Sequence, residues 1–292
     1  MTTCVAERGV DTWRFLRRMD RELDELIAAD ACPGGLFPGS VEGHRVGYMP
    51  GHSLLWVEGH PVADRLADPD ELPAAHRRVL DALEAAGLPR GRDGGLSRVD
   101  ATVTVRCGGP SGLATLQGVA ALDVPRMKPA VYGKPPQTVY WQGERTRKVF
   151  ARVYDKGLEA GTALAGELLR YEDQRRFAKD ARRPVEHLEP AADFARRFAP
   201  LARSATGLRV MTLPVMQREL SEAVNCGDYS HLEAERLLGY LMLDSAWGRY
   251  PRSTWKRRRR ELRDHGLVLA DDFYEPVTVD LGAALDLAVG AW

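Results

Sequence analysis

Cysteine is scarce and scattered in this chain. Its four residues, Cys4, Cys32, Cys107 and Cys226, form no Cys-x-x-Cys pair, which argues against a spaced zinc site or a disulfide scaffold. Lone thiols of this kind fit a reducing, cytoplasmic setting. No apolar run is long enough to cross a bilayer, and the N-terminus lacks a basic segment followed by an apolar stretch, so neither a membrane span nor a secretory signal is expected. A Gly-x-x-x-x-Gly-Lys-[Ser/Thr] phosphate loop is also missing, which excludes that route to nucleotide hydrolysis. Excess charge of one sign is absent overall: 41 Lys and Arg balance 41 Asp and Glu across 292 residues. The balance is not local. Between Arg249 and Arg263 there are eight basic residues and one acid, Glu261, with Lys256, Arg257, Arg258, Arg259 and Arg260 consecutive. A run of that kind repels itself unless a polyanion neutralises it.

The chain is long enough for one large domain or two ordinary ones. Residues 1–30 read as a helix, because Trp13, Leu16, Leu23, Leu26 and Ile27 recur near period 3.6. Proline and glycine at 33–35 and 38–39 end it. Strand-like pieces follow at 45–49 and 53–58, then an amphipathic helix over 70–86 closed by Gly87. Residues 97–105 alternate cleanly, with Val99, Ala101, Val103 and Val105 opposite Arg98, Asp100, Thr102 and Thr104. A helix starts near Pro110-Ser111, and 128–136 reads as a loop from its Pro and Gly. Segments 137–142 and 147–156 should pair as a hairpin across Gly143–Thr146, and 167–177 is a further strand. From Val185 onward helical patterns dominate, at 191–198, 215–224, 231–243 and 253–265. The predicted boundary therefore separates an α+β unit over 1–184 from a helical unit over 185–292. No internal repeat is evident. The fold class expected is α+β: an antiparallel sheet with helices on one face and the other face open, followed by a small helix-turn-helix-like domain.

The most informative stretch is Arg147–Lys156. Read with period two, it points Val149, Ala151 and Val153 into a core and Arg152, Tyr154 and Lys156 the other way. A phenol between two cations is a candidate covalent nucleophile, since neighbouring cations lower its pKa and attract phosphate. Two more polar strand faces carry Asp100 and Glu172. If the three strands are neighbours, the carboxylates could hold Mg²⁺ or Mn²⁺ beside the phenol, since these ions favour oxygen ligands and substrate phosphate. Lys156 could help form the phenolate or neutralise the phosphate. Arg98, Arg152 and Arg170 share those polar faces as candidate phosphate contacts, and strict alternation turns Asp155 away.

These residues carry a resemblance. Ser97-Arg-Val-Asp-Ala-Thr102 resembles the Ser-Arg-Ile-Asp-Ala-Thr strand of the gene II replication proteins of filamentous bacteriophages. Thr138-Val-Tyr-Trp141, followed by Tyr154 with Lys156 and Glu159 at matching offsets, is similar to the hairpin bearing that family's nicking tyrosine. Leu169-Arg-Tyr-Glu172 resembles its Val-Arg-Phe-Glu strand, and 251–266 its aromatic and basic C-terminal helix. The Tyr-Asp-Lys strand is also seen in the Rep-trans initiators of plasmids and integrative elements. The matches come in family order over about residues 97–266, and residues 1–90 lie outside them. The resemblance implies a rolling-circle replication initiator that nicks and religates one DNA strand through a tyrosine–5′-phosphate intermediate. Tyr154 and Lys156 would be catalytic and Asp100 and Glu172 metal-binding. Lys256 through Arg260 would contact DNA at a replication origin that is single-stranded at the nick. A host helicase and polymerase would be partners. The other rolling-circle class carries a His-hydrophobe-His metal motif, which none of the seven histidines forms. The alternative reading is a non-enzymatic DNA-binding regulator that uses the basic helix.

Overall fold

The computed structural model describes residues 5–18, 39–41, 44–49, 54–59, 71–85, 92–108, 111–125, 127–143, 149–177, 184–237, 239, 252–270 and 276–291. Nine strands form one antiparallel sheet: β1 Val5–Arg18, β2 Gly39–Val41, β3 His44–Met49, β4 Leu54–Gly59, β5 Arg92–Arg106, β6 Met127–Tyr132, β7 Thr138–Gly143, β8 Val149–Asp155 and β9 Leu168–Arg176. Their order across the sheet is β2-β3-β4-β1-β5-β9-β8-β7-β6. The predicted α+β class is what the chain adopts.

Alternation gives the sheet two unlike faces. Ala101, Val103 and Val105 of β5, Leu169 and Tyr171 of β9, Ala151 and Val153 of β8, and Val139 and Trp141 of β7 are all buried on one side. Helices α1 (Leu72–Ala85), α2 (Ser111–Ala120), α4 (Pro190–Ala205) and α7 (Leu281–Gly290) close over that side. Phe194 and Phe198 of α4 are fully buried there, with Phe198 edge-on to Tyr171. Burial of each such ring contributes on the order of 2 kcal/mol. Because all four helices take the same side, the polar side of the strands is left for the site.

The C-terminal part differs from the helical unit expected. Three short strands, β10 Arg209–Thr212, β11 Leu267–Ala270 and β12 Thr278–Asp280, form a second sheet in the order β11-β10-β12. Runs of three or four residues are too short to show a period, so they read as helix flanks. Helix α5 (Leu213–Cys226), the helical residues 231–237 and helix α6 (Arg252–Asp264) pack on this sheet through Met211, Met216, Leu220, Leu237 and Leu262. Gly227 caps α5 with a φ of 84°, giving the tight turn of a helix-turn-helix. The boundary expected near Pro184 is not a packing boundary, because α4, β10 and α7 share one core with the large sheet.

Two local expectations also fail. The segment read as an N-terminal helix is β1 as far as Arg18; its continuation over 19–30 lies outside the described residues. Within the Trp13–Leu16 spacing that read as helical, β1 shifts register against β5 between Arg14 and Phe15 and again between Phe15 and Arg17, so a plain period-two alternation is interrupted there. A further shift between Val10 and Thr12 brings Val10 and Trp13, three residues apart, onto the same buried face. The proline-containing loop over 128–136 begins as β6, where Pro129 is tolerated because β6 is the sheet's edge.

The sheet also holds a repeat that the sequence alone does not reveal. β1 and β5 pair at its centre, and each is flanked by a returning meander, β4-β3-β2 on one side and β9-β8-β7 on the other. Leu54-Leu-Trp-Val-Glu58 occupies the place of Leu168-Leu-Arg-Tyr-Glu172, and Arg45-Val-Gly47 that of Arg152-Val-Tyr154. The registers agree: Glu58 faces Arg45 and Trp56 faces Gly47, as Glu172 faces Arg152 and Arg170 faces Tyr154. Only these short segments match, and unequal insertions separate them.

Candidate active site

Three neighbouring strands bring the predicted residues together. Across the polar face, Thr102 of β5, Glu172 of β9, Arg152 of β8 and Tyr140 of β7 form one register row. Thr104, Arg170, Tyr154 and Thr138 form the next. Asp100 pairs with Gln174, one row to the other side, so Asp100 and Glu172 are diagonal neighbours on adjacent strands.

Tyr154 is only 3% exposed. Its hydroxyl donates to Glu172 Oε2 at 3.5 Å, and the Arg152 guanidinium lies over its ring at 4.5 Å from the centroid. Arg152 Nη2 donates to the same Glu172 oxygen at 2.6 Å. On the other diagonal, Arg98 Nε donates to Asp100 Oδ1 at 3.0 Å and Gln174 Nε2 to Asp100 Oδ2 at 3.3 Å. Arg170 is buried and donates from Nε to Thr104 Oγ1 at 3.1 Å.

The electrostatics correct one expectation. Flanking cations should lower the Tyr154 pKa, yet the phenol is pushed well above its ordinary value. Burial is the main cause and the Glu172 charge adds to it; Arg152 and Arg170 oppose both without prevailing. Burial also raises the Asp100 pKa, against the pull of Arg98 and Gln174. For Arg152, burial works against the cation, but Glu172 outweighs it and holds the guanidinium firmly charged.

Lys156 lies just beyond the strand on which it was predicted. The strand ends at Asp155, and Lys156 opens the short helix α3 (Lys156–Glu159). Its Nζ lies 5.9 Å from the centre of the Tyr154 ring and 2.5 Å from Glu159 Oε2. Asp155, turned from the phenol as alternation requires, accepts from Leu158 N at 2.9 Å and Gly166 N at 2.7 Å. A Cβ at Gly157 would lie 2.1 Å from the Leu164 carbonyl oxygen, so the chain folds tightly on itself just after the tyrosine. Asp155 is therefore a bracket for the loop that positions Lys156.

The basic helix forms as expected, closed by Gly266 at φ 73°. Arg257, Arg259 and Arg260 are exposed, whereas Arg258 is half-buried on the side of Leu262; the Lys256 side chain lies outside the described residues. Arg263 Nη1 donates to the Ala121 carbonyl at 2.6 Å, tying α6 to the end of α2. The candidate site read from the sequence includes neither Gln174 nor Tyr140. Tyr140 is the register partner of Arg152 on β7 and helps hold it charged; Gln174 and Tyr140 both sit at polar-face positions of their strands, which is the signal that could have found them.

Among the described residues no group of three His, Cys, Asp or Glu side chains could hold a metal ion. Mg²⁺ needs less than that, because it keeps waters and binds through one or two carboxylates with substrate phosphate. The donor chemistry of Asp100 and Glu172 fits such an ion, although arginines now hold both carboxylates. No helix among the described residues is long and apolar enough to cross a membrane.

Fold and site together define an α+β protein with a tyrosine, two carboxylates and several arginines on the sheet face away from the helices. No family model and no curated protein matches the sequence. Among solved structures the chain is similar to a rolling circle replication initiator protein from Geobacillus stearothermophilus. The identity is 12% and the TM-score 0.34, over 67% of this chain and 85% of that one.

Proposed function

We propose that this protein is a rolling-circle initiator-type enzyme that nicks and rejoins one strand of DNA through Tyr154. The observation that carries this reading is the convergence of the Tyr154 hydroxyl, the Glu172 carboxylate and the Arg152 guanidinium at one point on the polar face. In the forward step the Tyr154 oxygen attacks a backbone phosphorus, and the bond from phosphorus to the 3′ oxygen breaks. The DNA is left as a 5′-phosphotyrosine and a free 3′-hydroxyl. The phenol proton passes to Glu172, the base within reach, and the departing 3′ oxygen takes a proton from solvent. Attack by a 3′-hydroxyl on the phosphotyrosine reverses the step and seals the strand. Arg152 is placed to neutralise charge on the phosphate, and Lys156 stands nearby for the same task. A Mg²⁺ or Mn²⁺ ion held by Asp100 and Glu172 would polarise the phosphodiester.

The experiment is covalent capture. Wild-type protein with a labelled single-stranded origin oligonucleotide and Mn²⁺ should give an adduct that survives denaturing gels, and Tyr154→Phe should give none. An adduct in the Phe protein would move the nucleophile to another tyrosine. Asp100→Asn and removal of the metal by a chelator should each abolish cleavage.

Two observations favour the second reading, a non-enzymatic DNA-binding regulator: Tyr154 is buried, and the carboxylates are already paired with arginine. In that case DNA binds through α6 and no protein forms an adduct.

A further inference from the structure

Each half of the sheet carries a carboxylate, an arginine and an aromatic ring in contact on the same face; the carboxylates are equivalent, whereas the arginine and ring come from β8 in the second half and from β1 and β4 in the first. In the second half Glu172 holds Arg152, which lies over the Tyr154 ring. In the first half Glu58 holds Arg14, which lies over the Trp56 ring at 5.4 Å from its centroid. Arg14 donates to Glu58 Oε2 from Nε at 2.7 Å and from Nη2 as well. The carboxylates occupy equivalent places, Glu58 opposite Arg45 and Glu172 opposite Arg152. The position equivalent to Tyr154 is Gly47, and a Cβ there would lie 2.3 Å from the Trp56 indole. The first half therefore has no tyrosine at that position, and the space above Gly47 is taken by an aromatic ring.

We infer that Arg14 and Trp56 form a second, non-catalytic site for single-stranded DNA, which receives the strand at a distance from Tyr154. The inference rests on the proposed function for its choice of DNA, and charge complementarity supports it. A guanidinium fixed by a carboxylate and an indole has lost little further freedom to bind, and its outer face and remaining N–H groups suit a base plane and a phosphate. The Arg14 side chain is 40% exposed, so it is reachable, and Arg45 is exposed on the same row. Arg98, the register partner of Arg14 on β5, continues the cationic path toward Asp100. β4 stands four strands from β8, a separation of roughly 19 Å at the usual interstrand spacing. One strand of DNA crossing the sheet would thus touch both devices, the first as a holder and the second as the reactive centre. This gives the N-terminal half, which lies outside the family resemblance, a task of its own.

The test uses the full chain carrying Tyr154→Phe, so that no adduct forms, and a fluorescent oligonucleotide of about 16 nucleotides. Arg14→Gln and Trp56→Leu should each weaken binding by about tenfold, in line with loss of one stacked base. Arg14→Lys should recover less than half of the loss on a logarithmic scale, because it restores charge without the plane. Circular dichroism guards against misfolding of Trp56→Leu, and Arg14→Gln tests the site independently. Unchanged affinity in Arg14→Gln across a salt titration overturns the inference, even if wild-type protein forms the Tyr154 adduct. Conversely, weakened binding in Arg14→Gln with no wild-type adduct supports this site while removing the nicking reading.

Discussion

The Tyr154 hydroxyl lies 3.5 Å from Glu172 Oε2, and that oxygen also accepts the Arg152 hydrogen bond at 2.6 Å. The carboxylate therefore has two opposed effects on the phenol. It raises the phenol pKa in the resting protein, yet it is the acceptor best placed to take the proton when a phosphate arrives. Replacing Glu172 with Gln separates the two. Spectrophotometric titration should show the phenol ionising at lower pH, because the repelling charge is gone while Arg152 remains. Adduct formation should nonetheless fall by about a hundredfold or more, the usual loss when a positioned base is removed. If the adduct instead forms faster in Glu172→Gln, the carboxylate is a structural partner of Arg152 and the base lies elsewhere.

Tyr154 also makes a prediction about alkaline stability. Its pKa is raised above the ordinary value of 10.0 in the fold, so the folded chain holds this proton more tightly than the unfolded chain. Below that value both states are protonated and the group is neutral to stability. As pH rises past 10 the unfolded chain releases the proton first, and folding stability falls. Tyr154→Phe removes this loss, so its denaturation midpoint should decline less steeply between neutral and strongly alkaline pH. Parallel curves for the two proteins would mean that the phenol is not buried in solution.

How much of this was legible differs from strand to strand. β5 from Arg98 onward, β8 and β9 keep an unbroken register, so the polar sides of Asp100, Arg152, Tyr154 and Glu172 could be read directly. Adjacency could not, because β9 follows β8 in sequence but inserts between β8 and β5. β1 was misread because register shifts around Phe15 interrupt its alternation between Trp13 and Leu16. The phenol's raised pKa was out of reach too. It comes from burial by neighbours, whereas local sequence displayed only the cations.

A different residue, Asp173, is predicted to hold the scaffold together without touching the site. It points to the helix side of the sheet, 1% exposed, with Arg175 Nε at 2.8 Å and Arg197 Nε of α4 at 3.4 Å. Arg175 in turn reaches Asp193 at 2.7 Å, so the network joins β9 to α4. Burial raises the Asp173 pKa despite these cations, which marks a costly charge that is retained only because it is paired. Asp173→Ala leaves two partly buried guanidinium groups without that partner and should destabilise the protein by about 3 kcal/mol. Chemical denaturation would read this. A change below about 0.5 kcal/mol, the range of ordinary surface substitutions, would show that the network is dispensable.

The basic helix can now be divided by face. Residues on an α-helix advance by roughly 100° each, so four consecutive arginines cannot all meet one DNA surface. Leu262 is buried against the C-terminal core, and Arg258, one turn before it, is half-buried on that side. Arg257 and Arg260 are exposed and lie on the opposite side, one turn apart. The double substitution of Arg257 and Arg260 by Gln should weaken duplex binding and reduce the slope of log affinity against log salt by about 1.8, or roughly 0.9 for each phosphate contact. Arg258→Gln should leave that slope nearly unchanged and lower thermal stability instead. Adduct formation on an already single-stranded oligonucleotide should be preserved in both proteins, since Tyr154 belongs to the large sheet. An unchanged salt slope in the double variant would place duplex recognition elsewhere, with the Arg14 half of the sheet as the next surface to test.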